Sequence, residues 1–157
     1  MFIAQYYGAR NKKEYNRIFR FGLNLCLATS AIFMIFLLIW PEITMNVFVQ
    51  NQDIIDYGVM YIRIICYSHI PFAIAMMCGV AFRVKGDTNT PMIAGGISFF
   101  LNVFLNYLLI YGTWGFPKWG VSGAAVATLI SRIVEMLILL LLLNRKQSDL
   151  KLMTRYP

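Results

Sequence analysis

Apolar residues along this chain come in four long runs separated by short polar segments. The runs cover residues 21–40, 57–82, 91–112 and 120–143. The first and third runs carry no charged residue, the second carries only Arg63, and the fourth carries Arg132 and Glu135. A helix of roughly 20 predominantly apolar residues crosses the hydrocarbon core of a bilayer. The pattern therefore predicts an all-α membrane protein with four transmembrane helices.

Composition agrees with this class. The chain has 157 residues, of which 59% are hydrophobic and 13% charged, whereas a soluble domain carries about 25% charged residues. The cysteines lie inside the apolar runs without metal-ligand spacing, so we expect them to pack as small apolar residues. With one histidine, no phosphate-binding loop and no nucleophile motif, the sequence predicts no enzyme, no metal site and no cofactor.

The placement of charge predicts the orientation in the membrane. The net charge is +7, and the basic residues cluster before the first run, between the second and third, and after the fourth. The two alternate segments contain a single basic residue, Lys118. By the positive-inside rule, both termini lie in the cytoplasm of a multi-pass cell-membrane protein. Because the positive charge follows this alternation, we expect a lipid bilayer as partner and no nucleic acid. All three tryptophans fall at the outer membrane boundary, opposite the basic segments: Trp40, Trp114 and Trp119.

The charged hinge between the second and third runs, residues 83–91, contains the signals that end one helix and begin another. Gly86 is suited to the end of the first helix. Thr90 followed by Pro91 fits an N-cap and the first helical position of the next. Asp87 lies near that helix N-terminus, where the helix dipole favours negative charge. These residues predict a well-capped turn.

The fourth run contains small residues at helical spacing. They form two stripes, Gly120, Ala124 and Thr128 on one, and Gly123, Ala127 and Ser131 on the other. Small residues at this spacing let the backbones of two membrane helices approach closely. The sequence therefore predicts that the fourth helix lies inside a tight bundle.

Five segments in order, residues 5–9, 61–63, 86–92, 102–112 and 115–128, resemble successive signatures of the multidrug and toxic compound extrusion (MATE) transporters. That family has two six-helix lobes around a central cavity. The resemblance implies that the four runs are the third to sixth helices of the N-terminal lobe, and that residues 2–8 end the second. We expect the chain to be a gene fragment or partial sequence, with the remaining transporter helices as partners.

The resemblance implies a function as well. A cation-coupled efflux antiporter would export drugs or organic cations by alternating access, driven by Na⁺ or H⁺. A flippase of the same superfamily, moving a lipid-linked sugar, is one alternative. Such proteins are expected to line the cavity with arginines, whereas only Arg63 and Arg132 lie deep in this chain. A small four-span scaffold or accessory protein is another alternative.

Polar residues inside membrane helices are costly and serve as hypotheses for a functional site. Asn102 and Asn106 are four residues apart, on one helix face. In some members of the family a matching Asn and Asp bind the coupling ion. The second position here is Asn106, whose amide can offer a carbonyl oxygen to sodium but cannot take up a proton. The alternative is that both asparagines hydrogen-bond across helices.

Four other residues are weighed in the same way. His69 either titrates during coupling or packs neutral near Pro71, where we expect the helix to kink. Tyr107, with Tyr111, either lines a cavity for aromatic cations or packs against neighbours. Arg132 and Glu135 have the spacing of a helical ion pair, and the sequence leaves open whether that pair is structural or acts in gating.

Overall fold

The structure is a computed structural model that describes residues 7–8, 12–115 and 117–146. Its helices are α1 (Lys12–Ile39), α2 (Pro41–Asn46), α3 (Gln52–Ile65), α4 (His69–Val84), α5 (Asn89–Tyr111) and α6 (Val121–Lys146). Short 3₁₀ turns cover Cys66–Ser68 and Thr113–Gly115. All regular structure in these described ranges is helical. The expected all-α class is therefore confirmed.

Four helical segments are long and apolar enough to cross a membrane. They are Lys13–Ile39, Gln52–Val84, Asn89–Tyr111 and Val121–Arg145. Large apolar side chains cover their outer surfaces: Phe33 is 62% exposed on α1 and Phe100 is 73% exposed on α5. Contiguous apolar surface of this kind is rare on monomeric soluble proteins. Lipid or further helices must therefore cover these faces.

Helix α6 lies at the centre of the bundle. It packs against α5, α4 and α3, while α1 packs mainly against α4. The apolar core lies toward the end of the bundle that holds the loop 85–88, which we call the hinge end. It includes Phe19 of α1, Phe82 of α4 and Leu143 of α6, each almost fully buried. These large side chains fix the hinge end as a packed unit.

The second membrane segment is interrupted between α3 and α4. The 3₁₀ turn Cys66–Ser68 separates the two helices, and α4 begins at His69. Pro71 therefore falls in the first turn of α4, where a missing N–H removes fewer helical hydrogen bonds than in a helix interior. The Ser68 hydroxyl donates to the Ile65 carbonyl at 2.6 Å, which gives this polar group a local partner within the break.

The hinge is capped differently from the prediction. Helix α5 begins at Asn89, one residue before Thr90, so the assignment of Thr90 as N-cap and Pro91 as first helical residue was wrong. Asp87 provides the capping side chain instead. Its carboxylate accepts from the Thr90 backbone N–H at 3.0 Å and from the Thr90 hydroxyl at 2.7 Å. Two charge-assisted hydrogen bonds stabilise this arrangement more than one hydroxyl cap would.

Gly86 ends α4 as expected. Its φ is +83°, in the left-handed region that favours glycine. The Gly86 N–H donates to the Arg83 carbonyl and the Asp87 N–H donates to the Phe82 carbonyl. These are the two bonds of a Schellman motif, which pairs carbonyls at a helix end. The hinge is therefore a compact turn with local partners for its polar groups.

Helices α5 and α6 form the closest pair, as the small-residue stripes predicted. A Cβ added at Gly123 would lie 2.7 Å from the Leu109 carbonyl oxygen of α5. Ala127 and Ser131, on the same stripe, are almost fully buried. The second of the two stripes is therefore the one that forms the contact. Gly112 terminates α5 at the end of this helix pair farther from the hinge, with a φ of +69°.

Candidate functional site

A line of polar side chains crosses from α5 to α6 beside this close contact. The Asn102 side-chain amide donates to the Thr128 hydroxyl at 3.2 Å, and the Asn106 amide donates to Asn102 Oδ1 at 3.0 Å. The Thr128 hydroxyl in turn donates to the Ala124 carbonyl at 3.0 Å. Spacing of four residues puts both asparagines on the face of α5 that meets α6. The structure thus brings together the two asparagines that the sequence singled out.

Two serines continue the polar line toward the hinge end. The Ser98 hydroxyl of α5 donates to the Ser131 carbonyl of α6 at 2.8 Å. The Ser131 hydroxyl donates to the Ala127 carbonyl, one turn back along its own helix, also at 2.8 Å. Both serines are buried. Their hydroxyls are therefore satisfied by carbonyl oxygens, and they join the two helices without leaving a free polar group.

One atom of this line lacks a partner. Asn106 Oδ1 is buried, and no described residue donates a hydrogen bond to it. An unpaired buried acceptor costs about 1–3 kcal/mol, and its cost is several kcal/mol where lipid replaces water. An oxygen left in this state is a natural ligand for a bound cation or a donor from elsewhere. The orphaned oxygen marks this end of the polar line as a candidate binding position.

Farther toward the hinge end, α6 carries an ion pair. Arg132 Nη1 lies 2.8 Å from Glu135 Oε2, with side-chain exposures of 40% and 16%. The predicted pairing at this spacing is therefore confirmed. The Arg132 guanidinium also lies over the ring of Phe72 from α4, at 5.1 Å from the ring centroid. This distance is within the range of a cation–π interaction, so Arg132 joins α6 to α4.

Two cavities follow these polar groups. The first, of about 290 Å³, lies between α5 and α6 and is lined by Gly95, Ser98, Phe99, Asn102, Thr128, Ser131, Arg132 and Glu135. The second, of about 320 Å³, lies toward the hinge end and is lined by Phe72, Ala75, Met76, Gly79, Arg83, Pro91, Glu135 and Leu139. Glu135 belongs to both linings. We call the two together the α5–α6 groove; its first part is lined by α5 and α6, and its second, more apolar part is lined mainly by α4.

The other residues predicted as binding candidates lie elsewhere. His69 is half-buried at the start of α4, with Nδ1 3.1 Å from the Cys66 carbonyl oxygen, and lines neither of the two cavities. Tyr107 is 57% exposed and its ring packs 5.7 Å from that of Tyr111, centroid to centroid. Tyr107, like His69, is absent from the linings of both cavities. The hinge residues Gly86 and Asp87 are engaged in capping, as described above.

Several groove residues were not singled out as binding candidates from the sequence. Thr128 and Ser131 were assigned to packing stripes, although both also carry hydroxyls inside a membrane helix. Phe72 is one of many aromatic residues in the apolar runs, and nothing in its sequence context distinguishes it. An inspection of hydroxyl residues at membrane depth would have found the first two, whereas Phe72 required the tertiary structure.

Four helical segments long and apolar enough to cross a membrane, with polar side chains between two of them, define a polytopic membrane protein. The comparisons with known proteins identify which one. A model of the MatE family matches residues 1–108, and the chain belongs to that family of multidrug efflux transporters. The chain is 36% identical over 133 residues to a probable multidrug resistance protein NorM of Thermotoga maritima, covering 84% of this chain and 28% of that protein.

Other relatives agree. A probable multidrug resistance protein YoeA of Bacillus subtilis is 29% identical over 150 residues, covering 95% of this chain and 32% of that protein. A crystal structure of a MATE protein in a bent conformation superposes with a TM-score of 0.85 at 27% identity, over 99% of this chain and 34% of that one. An inward-facing multidrug resistance MATE transporter gives a TM-score of 0.81 at 26% identity, over 90% of this chain and 31% of that one. The chain thus spans about a third of the length of these relatives.

Proposed function

We propose that this chain forms part of one lobe of a cation-coupled efflux transporter that exports organic cations or drugs. Family membership supports the transport class, and the α5–α6 groove supplies polar groups at membrane depth. In this proposal the remaining helices complete the cavity, and an inward ion gradient drives alternating access. The loop 85–88 and both termini lie in the cytoplasm, in accord with the distribution of basic residues.

The orphaned oxygen of Asn106 is the observation that carries the coupling part of the proposal. Hard cations prefer oxygen ligands. Asn106 Oδ1 and the Thr128 hydroxyl oxygen are two such atoms on neighbouring helices, and Asn102 links their side chains. A neutral amide has no proton to exchange in the physiological range. Of the two coupling ions considered, this chemistry favours Na⁺ at the Asn102–Asn106 position, with substrate bound elsewhere in the groove.

The flippase alternative has less support from the same geometry. A lipid-linked sugar carries phosphate groups, which arginines bind best when their guanidinium is free. Arg132 is paired with Glu135 at 2.8 Å, so the charge that it presents to the groove is largely neutralised. Arg63 is exposed on α3 and lines neither of the two cavities. Arg83 lines the second cavity, with its Nε donating to the Gly79 carbonyl at 3.2 Å, and a single arginine there is fewer than a phosphate-bearing substrate calls for. We therefore retain organic-cation export as the proposed activity.

The test uses the full-length transporter in proteoliposomes, with the Na⁺ and pH gradients imposed separately. The substrate is ethidium, a fluorescent aromatic cation. We expect uptake driven by the Na⁺ gradient, and Asn106→Leu should reduce that component at least tenfold while preserving folding. Asn144→Leu, exposed on α6 beyond the end of the fourth apolar run, is the matched control and should transport normally. Ethidium movement driven equally well without Na⁺, or insensitive to Asn106→Leu, would contradict the coupling assignment.

A further inference from the structure

The guanidinium of Arg132 is held between two groups that recognise cations in general. On one side is the carboxylate of Glu135, at 2.8 Å, and on the other the ring face of Phe72, at 5.1 Å. A carboxylate next to an aromatic face is the combination that binds organic cations, because charge attraction and the ring quadrupole act together. Arg132 is thus bound by its own protein in the way that an aromatic or alkylammonium substrate would be bound.

This cluster lies where the two cavities meet. Glu135 lines both of them, Arg132 lines the first, and Phe72 lines the second. The second carboxylate oxygen, Glu135 Oε1, faces Gly95, where an added Cβ would lie 3.8 Å away. The absence of a side chain at Gly95 leaves the cavity open beside the carboxylate. A ligand in the first cavity therefore reaches Glu135 beside Arg132, and a ligand in the second reaches it beside Phe72.

We propose that Glu135 and Phe72 form a binding site for an organic cation, and that Arg132 occupies this site as a tethered competitor. The inference rests on the proposed function and assigns the substrate to residues distinct from the asparagine pair. A substrate cation displaces Arg132 from both partners at once. The guanidinium then turns into the adjoining cavity beside Thr128 and Ser131, which is large enough to hold it together with water.

Arg132 is suited to leave. Its side chain is 40% exposed, whereas that of Glu135 is 16% exposed, so the guanidinium moves with less repacking than the carboxylate would need. The second arginine of the groove, Arg83, does not oppose substrate strongly. It is exposed at the hinge end, and its Nε donates to the Gly79 carbonyl at 3.2 Å. It lines only the second cavity, so the part of the site next to Gly95 and Arg132 does not include it.

A tethered competitor can be distinguished from a structural ion pair. Substituting Arg132 should raise the affinity for the substrate, whereas substituting Glu135 should lower it. If Arg132 vacates the site about a tenth of the time, it lowers apparent substrate affinity about tenfold. Removing the arginine should therefore raise the apparent substrate affinity about tenfold. Removing the carboxylate should lower affinity, because the ring alone remains to attract the cation.

The experiment measures ethidium binding to the purified full-length transporter by fluorescence titration. We expect Arg132→Gln to bind ethidium about tenfold more tightly and Glu135→Gln to bind it at least tenfold more weakly. Phe72→Leu should weaken binding roughly threefold, in keeping with one lost cation–π contact. Glu42→Gln, an exposed carboxylate on α2, is the matched control and should bind as the wild type does.

The double variant Arg132→Gln/Glu135→Gln separates the two interpretations. A cation site predicts that the double variant binds as weakly as Glu135→Gln, because the carboxylate is gone in both. A merely structural pair predicts that each single variant loses affinity and thermal stability, and that the double variant recovers both. That second result, or equal affinity in all variants, overturns the inference. If the wild type does not bind ethidium, the proposed class of transported substrate is refuted. If the wild type binds ethidium and every variant binds it with the same affinity, only the site proposed here is refuted.

Discussion

The hinge between α4 and α5 and the α5–α6 groove are both polar, but their polar groups are satisfied in different ways. In the hinge, Asp87 pairs with Thr90, three residues away, and Gly86 closes the preceding helix through its own backbone. In the groove, Asn102 reaches Thr128 across 26 positions of sequence, and Asn106 keeps one buried oxygen without a described partner. Hinge contacts are local, whereas groove contacts join two helices.

This difference separates structural polarity from functional polarity. A capped turn uses its side chains to complete backbone hydrogen bonding, so it has little left with which to bind a ligand. The groove retains an orphaned oxygen and an ion pair at a depth where polar groups are costly, and we propose that both serve binding. Substitutions in the two regions should therefore produce different readouts: stability for the hinge, and coupling or affinity for the groove.

The largest effect is expected where the groove depends on close helix contact. Gly123→Ala places a methyl group 2.7 Å from the Leu109 carbonyl oxygen, so α5 and α6 must separate and the asparagine–threonine link must lengthen. We expect the stability to fall by about 2–3 kcal/mol. We also expect the Na⁺-dependent component of transport to be lost. Thermal unfolding in detergent and the proteoliposome assay measure the two effects.

Gly96→Ala is the matched control on α5. An added Cβ there meets nothing within 4 Å, so the same chemical change should leave stability unchanged or raise it by up to about 1 kcal/mol through helix propensity. Equal losses in the two variants would show that the contact at Gly123 does not hold the groove together.

The next effect concerns the cross-helix hydrogen bond. Asn102→Leu keeps a side chain of the same branching but removes the partner of both Asn106 and Thr128. Leaving buried polar groups unpaired should lower stability by about 1–3 kcal/mol, and Na⁺-driven transport should fall by a factor of ten or more. If transport retains its Na⁺ dependence while only stability falls, the asparagine pair is structural.

Substitution of the hinge glycine should act on stability alone. Gly86→Ala places a Cβ at a φ of +83°, which costs about 1–2 kcal/mol for a residue with a side chain. Asn tolerates the left-handed region better, so Gly86→Asn should lose less than Gly86→Ala. The ratio of Na⁺-driven to Na⁺-independent transport should stay at the wild-type value in both, and a change in that ratio would remove the distinction between hinge and groove.

The smallest effect is expected for the capping carboxylate. Asp87→Ala removes the hydrogen bonds to the Thr90 N–H and hydroxyl and should cost about 1 kcal/mol, as loss of a helix cap does. Asp87→Asn keeps an acceptor oxygen and should therefore lose less stability than Asp87→Ala. Thermal unfolding distinguishes the two variants, and transport per folded molecule should remain constant.

Much of the fold follows from the spacing of apolar residues. The four runs predict the four membrane segments, and the small-residue stripe of Gly123, Ala127 and Ser131 predicts the close contact of α6. The sequence was less informative about helix ends. Thr90 was assigned as N-cap because a hydroxyl residue precedes proline, but the carboxylate of Asp87, three residues earlier, accepts from the Thr90 N–H and hydroxyl and provides the cap instead. Local propensity alone does not decide between two such caps.

The candidate site, like the fold, was predictable from the sequence only in part. Asn102 and Asn106 could be singled out because amides at membrane depth are costly wherever they point. The sequence does not reveal which neighbour satisfies them, and Thr128 was assigned to packing alone. Tyr107 follows Asn106 by one residue, and a turn of about 100° per residue carries it to an exposed face, so its role in cation binding stays a prediction.

What the sequence determined by itself is therefore the class of protein, the number of membrane segments and the residues whose polarity needs an explanation. These follow from hydrophobicity and helical period, which are properties of each segment alone. Only the tertiary structure decided that Phe72 of α4 meets Arg132, that Glu135 lies where two cavities join, and that Asn106 retains an orphaned oxygen. These facts depend on how helices far apart in sequence pack side by side, and no local pattern in the chain encodes that arrangement.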